Sequence, residues 1–522
     1  MGVRRVLWGL LLPAALGAQW RDLTVGSEAE LYVRALQTRG AFNGEPASIR
    51  PYGAKVVDRW KAESPPTNPW AARFHDDTYD GKARVWLLRP MVQASYNSAY
   101  AWGFNDGAIW QGKGANIAAT FGFGARWRMI SLRVEPVIFR AQNGDFQLLG
   151  DTTRGVNAFV DQQRPYSIDL PQRFGRSAYQ RVDPGQSELR VDAGPIAAGV
   201  STMNNFWGPG IRHSLLLGGN SAGFPHLFFG TSQAFKTRIG RFSAQAIYGK
   251  LSQSDFAPSA PTTDRFASGV VASWQPPSGR GLEIGVSRFY HREWPAGGPG
   301  LGDLTVPFGS LFQDLQTTKG GAADNQLASI YARWRAEEAG FELFGEFGRN
   351  DRSGGARDLA LEPEHNSAWL LGFAKTFARQ GSELWMLRGE YLNGRITALQ
   401  RLGRGQATFY EHNPITQGHT ERGQLLGSPL LERSSGLELA VDRWTRRGRA
   451  GVTLMQRAMP SDLAEGASAQ TARSQWYTEA SAVRFVGRNE LFARGGVVFD
   501  LNRHAGSDEK NLYLQAGARV GF

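Results

Sequence analysis

The last residues of the chain alternate between apolar and polar side chains with a period of two. One set of alternate positions is apolar: Leu512, Leu514, Ala516, Ala518, Val520 and Phe522. The positions between them are mostly polar or small: Asn511, Tyr513, Gln515, Gly517, Arg519 and Gly521. This period predicts a β-strand with lipid on one side and a wet, polar lumen on the other.

The same alternation recurs upstream, for example at residues 188–193, 282–287 and 437–442. Carboxylates that faced lipid would be costly, so Glu188, Glu283 and Glu438 are predicted to face the lumen. The breaks between such stretches are short and rich in turn residues: 183–185, 238–240, 276–280, 337–340, 379–382, 446–448 and 487–489. They alternate with long polar connections: 201–225, 251–264, 291–324, 349–366, 393–434, 458–474 and 500–510.

This order of short and long connections is typical of short periplasmic turns and long outer loops. Strands are predicted to begin near residues 83, 114, 129, 172, 187, 226, 241, 265, 281, 325, 341, 367, 383, 435, 449, 475, 490 and 511. The predicted fold class is therefore an all-β membrane protein, a transmembrane antiparallel β-barrel of about 18 strands. A soluble β-sandwich or propeller also alternates, but it requires neither the terminal aromatic strand nor the loop asymmetry.

The amino-terminal part divides into two predicted segments before the barrel at 83–522. Residues 1–18 are interpreted as a signal peptide, because Arg4 and Arg5 precede an apolar run too short to span a bilayer. A membrane anchor is the competing interpretation. Residues 19–82 are predicted to be a periplasmic helical or irregular segment, either packed under the barrel mouth or loosely ordered. Within it, a capping box at Ser27 and Glu30 predicts a short helix over about 28–39.

The amino-acid composition agrees with a barrel and limits the kinds of ligand that the protein is expected to bind. The chain has 64 Gly, 30 Phe, 16 Trp and 14 Tyr, residues that transmembrane barrels use for tight packing and aromatic girdles. Its net charge of +12 favours anionic partners such as lipopolysaccharide phosphates or acidic polysaccharide. Nucleic acid is not expected as a partner of an exported chain without a compact Lys/Arg run. The absence of Cys excludes disulfides, thiolate metal sites and a lipidated cysteine.

One segment differs from the loops around it. Asn204 and Asn205 precede Phe206-Trp207-Gly208-Pro209-Gly210, and an apolar run at 215–217 and a Phe-Pro pair at 224–225 follow. This pattern resembles the Trp-Gly-Pro-Gly signature of capsule assembly proteins of the Wzi type, and residues 31–37 with 48–51 are similar to the opening of such proteins. The resemblance implies an outer-membrane barrel of about 18 strands with a small helical periplasmic part, which holds capsular polysaccharide at the cell surface.

The same segment supplies the candidate site, Trp207, Gly208, Pro209, Gly210 and Arg212. Trp207 is suited to stacking on a sugar face, while the Gly and Pro residues fix a rigid turn. The alternative is a turn that only plugs the barrel.

Catalytic and metal chemistry find little support in the sequence. His213 beside Ser214 suggests an outer-membrane lipase, but neighbours on one strand face opposite ways and no orienting partner is evident. Glu411, His412, His419 and Glu421 are suitable metal ligands, yet their spacing matches no tight motif and favours an ordinary solvated loop. We therefore predict no enzyme activity, no cofactor and no metal.

The leading hypothesis is an outer-membrane barrel of a Gram-negative bacterium that binds or organises exported polysaccharide. Its partners would be surface polysaccharide, outer-membrane lipid or lipopolysaccharide, and the barrel assembly machinery, which would recognise the strand that ends in Phe522. The rival is a porin-like diffusion channel, since a barrel of this size encloses a wide lumen unless loops fill it.

Overall fold

The structure is a computed structural model that describes most of the chain. The described residues are 23–42, 44–63, 68–74, 81–149, 158–160, 168–257, 263–277, 281–308, 324–350, 360–379, 383–395, 408–412, 415–459, 472–504 and 506–521. The predicted signal peptide and the terminal Phe522 lie outside them. Three helices occur near the start: α1 (Glu28–Thr38), α2 (Ala54–Glu63) and α3 (Ala71–Phe74). None of the described helices has the length and apolar character needed to cross a bilayer.

Strands make up most of the remaining described structure. The first group comprises β1 (Ile49–Arg50), β2 (Arg84–Leu87), β3 (Met91–Asn97), β4 (Gly114–Thr120), β5 (Phe123–Trp127), β6 (Ile130–Val134), β7 (Val137–Ala141), β8 (Tyr179–Asp183), β9 (Glu188–Ala193), β10 (Ile196–Ser201), β11 (Phe206–Trp207), β12 (His226–Thr231) and β13 (Phe235–Thr237). The second group comprises β14 (Gly240–Leu251), β15 (Arg265–Gln275), β16 (Glu283–Glu293), β17 (Asp324–Ala336), β18 (Phe341–Asn350), β19 (Ser367–Arg379), β20 (Glu383–Asn393), β21 (Thr420–Glu421), β22 (Gln424–Leu425), β23 (Ser435–Thr445), β24 (Gly448–Met459), β25 (Arg473–Val486), β26 (Asn489–Leu501) and β27 (Glu509–Arg519).

Most of these strands form one large antiparallel sheet in which sequence neighbours pair. From β14 to β20 and from β23 to β27 each strand pairs with the next, and β20 pairs with β23. The last strand, β27, pairs with β3, with Gln515 opposite Ser95. The strand order thereby returns to its beginning, and the sheet has an inner and an outer face.

The predicted alternation is present on β27. Leu512 and Leu514 are 41 % and 46 % exposed on the outer face, whereas Asn511 and Tyr513 are almost fully buried on the inner face. The inner side chains are covered by protein segments rather than lying in an open, wet lumen. The polar side chains of the alternating pattern are therefore those that contact protein segments inside the barrel.

One predicted strand is wrong. No strand begins near 172; instead β8 and β9 run over 179–193, and β10 follows a tight turn at Gly194. The break predicted at 183–185 is an interruption within a strand, because β8 pairs with β7 and β9 pairs with β6. Pro184 cannot donate to a sheet and Gly185 has a φ of 59°, which suits an irregularity between paired segments.

The predicted helix is found at Glu28–Thr38. The Ser27 hydroxyl accepts from Glu30 N at 3.2 Å and caps the helix. The Glu30 carboxylate accepts from Gly26 N, one residue before the cap, at 2.6 Å, whereas Ser27 N donates to Thr24 O. The helix lies within the end of the barrel where the turns are short. Trp70 Nε1, in the same amino-terminal part, donates to Thr445 O at that end, 3.0 Å away.

From the other end, two connections fold into the barrel and pack on each other. Tyr410 Oη donates to Leu215 O at 2.9 Å, and Gly218 N donates to Leu426 O at 2.9 Å. Leu215 and Tyr410 are fully buried. The space inside the sheet is thus occupied by the amino-terminal part and by the connections around 204–218 and 408–434.

Candidate functional site

The turn that carries Trp207 lies in the middle of the barrel. Trp207 is fully buried, and its strand β11 pairs with β1 so that Trp207 is opposite Ile49. Its ring meets Phe289 edge-on at 6.5 Å, and its Nε1 donates to Gln245 Oε1 at 3.1 Å. The faces of this indole contact protein, so the ring is not presented to an outside ligand in this structure.

The following residues offer their backbone to buried side chains. Arg34 Nη2 donates to Pro209 O and Arg50 Nη2 to Gly210 O, each at 2.7 Å. Gly208 has a φ of 108°, and a Cβ there would lie 2.4 Å from the carboxylate of Glu346. Only glycine fits this position without strain, because both the backbone conformation and the space exclude a side chain.

The residues after the turn are held by the barrel wall. Glu390 on β20 accepts from Ile211 N at 2.8 Å and from Arg212 N at 2.9 Å. Arg212 itself is half-buried and lines a cavity of about 330 Å³ near the start of α1. The five predicted site residues therefore form one turn, clamped between α1, β1 and the inner face of the sheet.

Ion pairs tie the amino-terminal part to the wall. Arg34 Nε lies 2.9 Å from Glu342 Oε1, and Arg333 Nε donates to the other oxygen of Glu342 at 2.9 Å. At the start of α1, burial by itself raises the pKa of Glu28, but the charge of Arg449 and its hydrogen bonds outweigh this and hold the pKa below its ordinary value. Removing one partner from such a buried pair leaves an uncompensated charge, so these pairs position the turn strongly.

His213 has the orienting partners that the sequence did not reveal. Its Nδ1 is hydrogen-bonded to Ser428 Oγ at 2.9 Å and its Nε2 to Glu438 Oε2 at 3.1 Å, while Ser214 Oγ donates to Trp207 O at 2.7 Å. His213 and Ser428 are 1 % and 2 % exposed. These hydrogen bonds hold the turn against the 428–434 segment and the wall. The hydroxyl that contacts His213 belongs to Ser428 and not to the neighbouring Ser214.

Among the described residues, His213, Glu390 and Glu438 bring ligand-type atoms within 4.8 Å of one another. The two carboxylates already accept from Ile211, Arg212 and Arg388. The three side chains lie close together because each of them helps to hold the turn against the barrel wall.

The prediction of a solvated loop at residues 411–421 is wrong. Glu411, His412, His419 and Glu421 are all buried, and each forms a hydrogen bond with another part of the protein. His419 Nε2 donates to Leu216 O at 2.7 Å, and Glu421 accepts from Ser252 N at 2.7 Å. Burial lowers the pKa of His419 to about 4 and raises the pKa of Glu421 to about 7. The segment is polar in sequence because it fills a polar interior.

A second cavity lies at the end of the barrel where the connections are long. It has a volume of about 330 Å³, and the segment 100–111 between β3 and β4 forms one side of it. The opposite side comes from the ends of β24 and β25 and from the connection after β26. We call this space the outer cavity. Five aromatic side chains line it: Tyr100, Trp102, Phe104, Trp110 and Phe146.

Arginines are the main charged groups of the outer cavity. Its lining contains four arginines and two carboxylates: Arg433, Arg457, Arg473 and Arg503, with Asp106 and Glu432. Three of these arginines are ion-paired with further carboxylates, Arg433 with Glu411, Arg473 with Asp500, and Arg503 with Asp500 and Glu509.

Packing and hydrogen bonds hold these arginines in place. The guanidinium carbon of Arg503 lies 3.8 Å from the ring centre of Tyr100, and Arg457 Nε donates to Ser434 Oγ at 3.0 Å. Burial lowers the pKa of Arg503, and the nearby charge of Arg473 lowers it further. Arginines that already have carboxylate partners still carry further N–H groups, which can donate to an anionic ligand.

Segment 100–111 is held inside the barrel by its own contacts. Asp106 forms an ion pair with Arg494 on β26, and Asn105 Nδ2 donates to Arg212 O at 3.0 Å. Trp102 packs edge-on against Phe104 at 4.8 Å. None of the residues in this segment is among the predicted site residues. The aromatic run at 100–104 in a connection between two predicted strands is the signal that was available.

A closed antiparallel sheet with apolar side chains outside and a polar, occupied interior defines the chain as a transmembrane β-barrel of the outer-membrane class. A family model described as capsule assembly protein Wzi matches residues 124–470. The chain therefore belongs to the Wzi family of capsule assembly proteins.

One solved structure shares this fold, and a second is reported with it. Wzi of Escherichia coli, an outer-membrane protein involved in group 1 capsule assembly and described as a carbohydrate-binding β-barrel, matches with a TM-score of 0.63 at 14 % identity, over 96 % of this chain and 99 % of that one. OpdQ of Pseudomonas aeruginosa matches with a TM-score of 0.41 at 6 % identity, over 84 % of this chain and 98 % of that one. No curated protein sequence matches significantly.

Proposed function

We propose that this protein binds an acidic surface polysaccharide in its outer cavity and thereby organises exported polysaccharide at the cell surface. The observation that carries the proposal is the combination of aromatic faces and arginines in the lining of that cavity. Family membership and the carbohydrate binding described for Escherichia coli Wzi support the same ligand class.

The chemistry of the lining fits an acidic glycan. Aromatic rings pack against the apolar faces of sugar rings, and arginine side chains form charge-assisted, often paired hydrogen bonds with carboxylates. Gln172, Asn220 and Gln475 add amide groups that donate and accept. A volume of about 330 Å³ lies at the small end of ordinary ligand pockets, which suits a short stretch of a long chain.

The turn at Trp207 has a different role in this proposal. We call the amino-terminal part and the connections around 204–218 and 408–434, which together fill the barrel, the plug. Because the turn is buried and joins the amino-terminal part to the wall, it lies at the centre of the plug and leaves glycan contact to the outer cavity. The protein works without enzymatic chemistry. A diffusion channel is less favoured, since the segments around 204–218 and 408–434 occupy the interior between the two ends.

The placement in the membrane completes the proposal. Short strands that continue one another, such as β2 with β3 and β4 with β5, merge to give about 18 membrane-crossing strands over residues 83–522. Residues 19–82 stand on the periplasmic side, after a signal peptide at 1–18. The outer face contacts lipid or lipopolysaccharide, and β27, followed by the terminal Phe522, addresses the chain to the barrel assembly machinery.

Binding of purified protein to an acidic and to a neutral polysaccharide tests the proposal. Wild type is expected to retain the acidic glycan, and Trp102→Ala and Arg457→Gln each to weaken binding about 10-fold or more, because each removes a contact in a partly desolvated site. Two matched controls are Trp127→Ala and Arg447→Gln, whose side chains are exposed near the short turns. Equal binding by all four variants, or none by wild type, refutes the proposal.

A further inference from the structure

The outer face of the sheet is covered at one place. On β16, Phe289 and His291 face the interior, since the ring of Phe289 meets that of Trp207 and the ring of His291 lies 5.9 Å from that of His419. Their partners on β15, Gly269 and Ala267, share this inner face. The alternate residues face outward, yet Phe266, Arg288 and Tyr290 are only 4 %, 4 % and 2 % exposed. Something other than the wall itself therefore covers them.

The segment that follows β16, residues 294–308, which we call the strap, packs on the outside of β15 and β16. The Trp294 ring lies 6.2 Å from the ring of outward-facing Phe266. Tyr248 Oη, on the outer face of β14, donates to Leu304 O at 2.8 Å. Arg292 forms an ion pair with Asp303. The strap thus bends back over the outside of the barrel instead of extending away from it.

The free side of the strap is apolar. Leu301, Leu304 and Phe308 in its 3-10 helix are 85 %, 41 % and 64 % exposed. Asp303 is the single charged residue among 294–308, and its charge is paired with Arg292. A segment this poor in charge, with large apolar side chains pointing outward, is unusual for a loop in water.

The neighbouring wall identifies what covers this surface. Below the strap, the outward residues Val286 on β16 and Ile330 on β17 are 48 % and 55 % exposed, in the apolar band that faces lipid. The apolar side of the strap continues this band toward the long-loop end. Trp294 lies at the start of the strap, where an aromatic residue of the membrane interface is expected.

We propose that the strap is a membrane-inserted element, with Leu301, Leu304 and Phe308 in the hydrocarbon of the outer leaflet. It shields outward residues such as Tyr248 and Arg292 from lipid and anchors this side of the barrel at the surface. The inference rests on the outer-membrane location and is independent of any glycan.

Site-directed fluorescence tests the strap, because the chain contains no Cys. A cysteine replaces Gly302, where an added Cβ meets nothing within 4 Å, and carries an environment-sensitive nitrobenzoxadiazole probe. The full-length protein is reconstituted in phosphatidylcholine vesicles with nitroxide-labelled acyl chains. Val286→Cys on the lipid-facing wall and Ser507→Cys in an exposed connection serve as references.

We expect the probe at 302 to be quenched by the nitroxide nearly as strongly as at 286, and to be protected from aqueous iodide. Behaviour like that at 507 overturns the proposal. Adding Leu301→Ser and Phe308→Ser to Gly302→Cys should abolish the quenching, and unchanged quenching would contradict the anchoring role. If the probe at 286 is not quenched either, the membrane barrel is refuted and the strap with it.

Discussion

Replacing Gly208 by Ala tests whether the buried turn holds the plug together. Gly208 has a φ of 108°, outside the range that residues with a Cβ adopt readily. The added Cβ would lie 2.4 Å from Glu346 Oε2 and 3.0 Å from its Cδ. Glu346 is buried and accepts from Ser329 Oγ at 2.6 Å, so it has little freedom to move aside.

Two costs add in this variant. The unfavourable backbone conformation costs about 1–2 kcal/mol for a residue with a Cβ. Displacing the Glu346 carboxyl group disturbs its buried hydrogen bond to Ser329, which costs about 1–3 kcal/mol. We therefore expect Gly208→Ala to lower the free energy of unfolding by about 2–5 kcal/mol.

Urea unfolding in detergent, followed by tryptophan fluorescence, measures this loss. Gly506→Ala is the matched control, because Gly506 has a similar φ of 101° but nothing within 4 Å of an added Cβ. The free energy of unfolding of Gly506→Ala should fall only by the cost of the unfavourable backbone conformation. Adding Glu346→Ala to Gly208→Ala should remove the steric part. If the two glycine variants are equally stable, Glu346 does not constrain the turn and the reasoning fails.

Further outcomes follow from the plug. The pKa of Glu421 is about 7, above the ordinary 4.5, so the folded protein keeps a proton that the unfolded chain loses between these values. Stability should therefore fall by about 3 kcal/mol as pH rises through this window, and Glu421→Gln should flatten the dependence of the unfolding midpoint on pH; an unchanged slope would contradict the shift. Ser27→Ala removes the N-cap of α1 and should cost about 1 kcal/mol in the same unfolding assay, whereas Ser507→Ala in an exposed connection should cost almost nothing. Planar-bilayer recordings of wild type should show no steady open channels, and a stable large conductance would restore the channel hypothesis.

Local patterns predicted the parts of the fold that depend on near neighbours in sequence. The alternation over 511–520 predicted β27, and the Ser27 and Glu30 pair predicted α1, because each pattern expresses a repeat or a cap formed within a few residues. The prediction failed at 183–185, where Pro and Gly occur within a strand. These residue types suit a turn and a strand irregularity alike, and only the partner strands distinguish the two.

The interior could not be predicted in the same way. His213 meets Ser428 and Glu438, and Gly208 meets Glu346, across separations of more than a hundred residues. The polar segment 408–434 is typical of a solvated loop in sequence, yet it is buried because the polar inner face of the barrel satisfies its hydrogen bonds. Local sequence patterns suffice to predict the strands and their two faces. The filling of the barrel depends on the folded chain, since those contacts join residues that no local pattern connects.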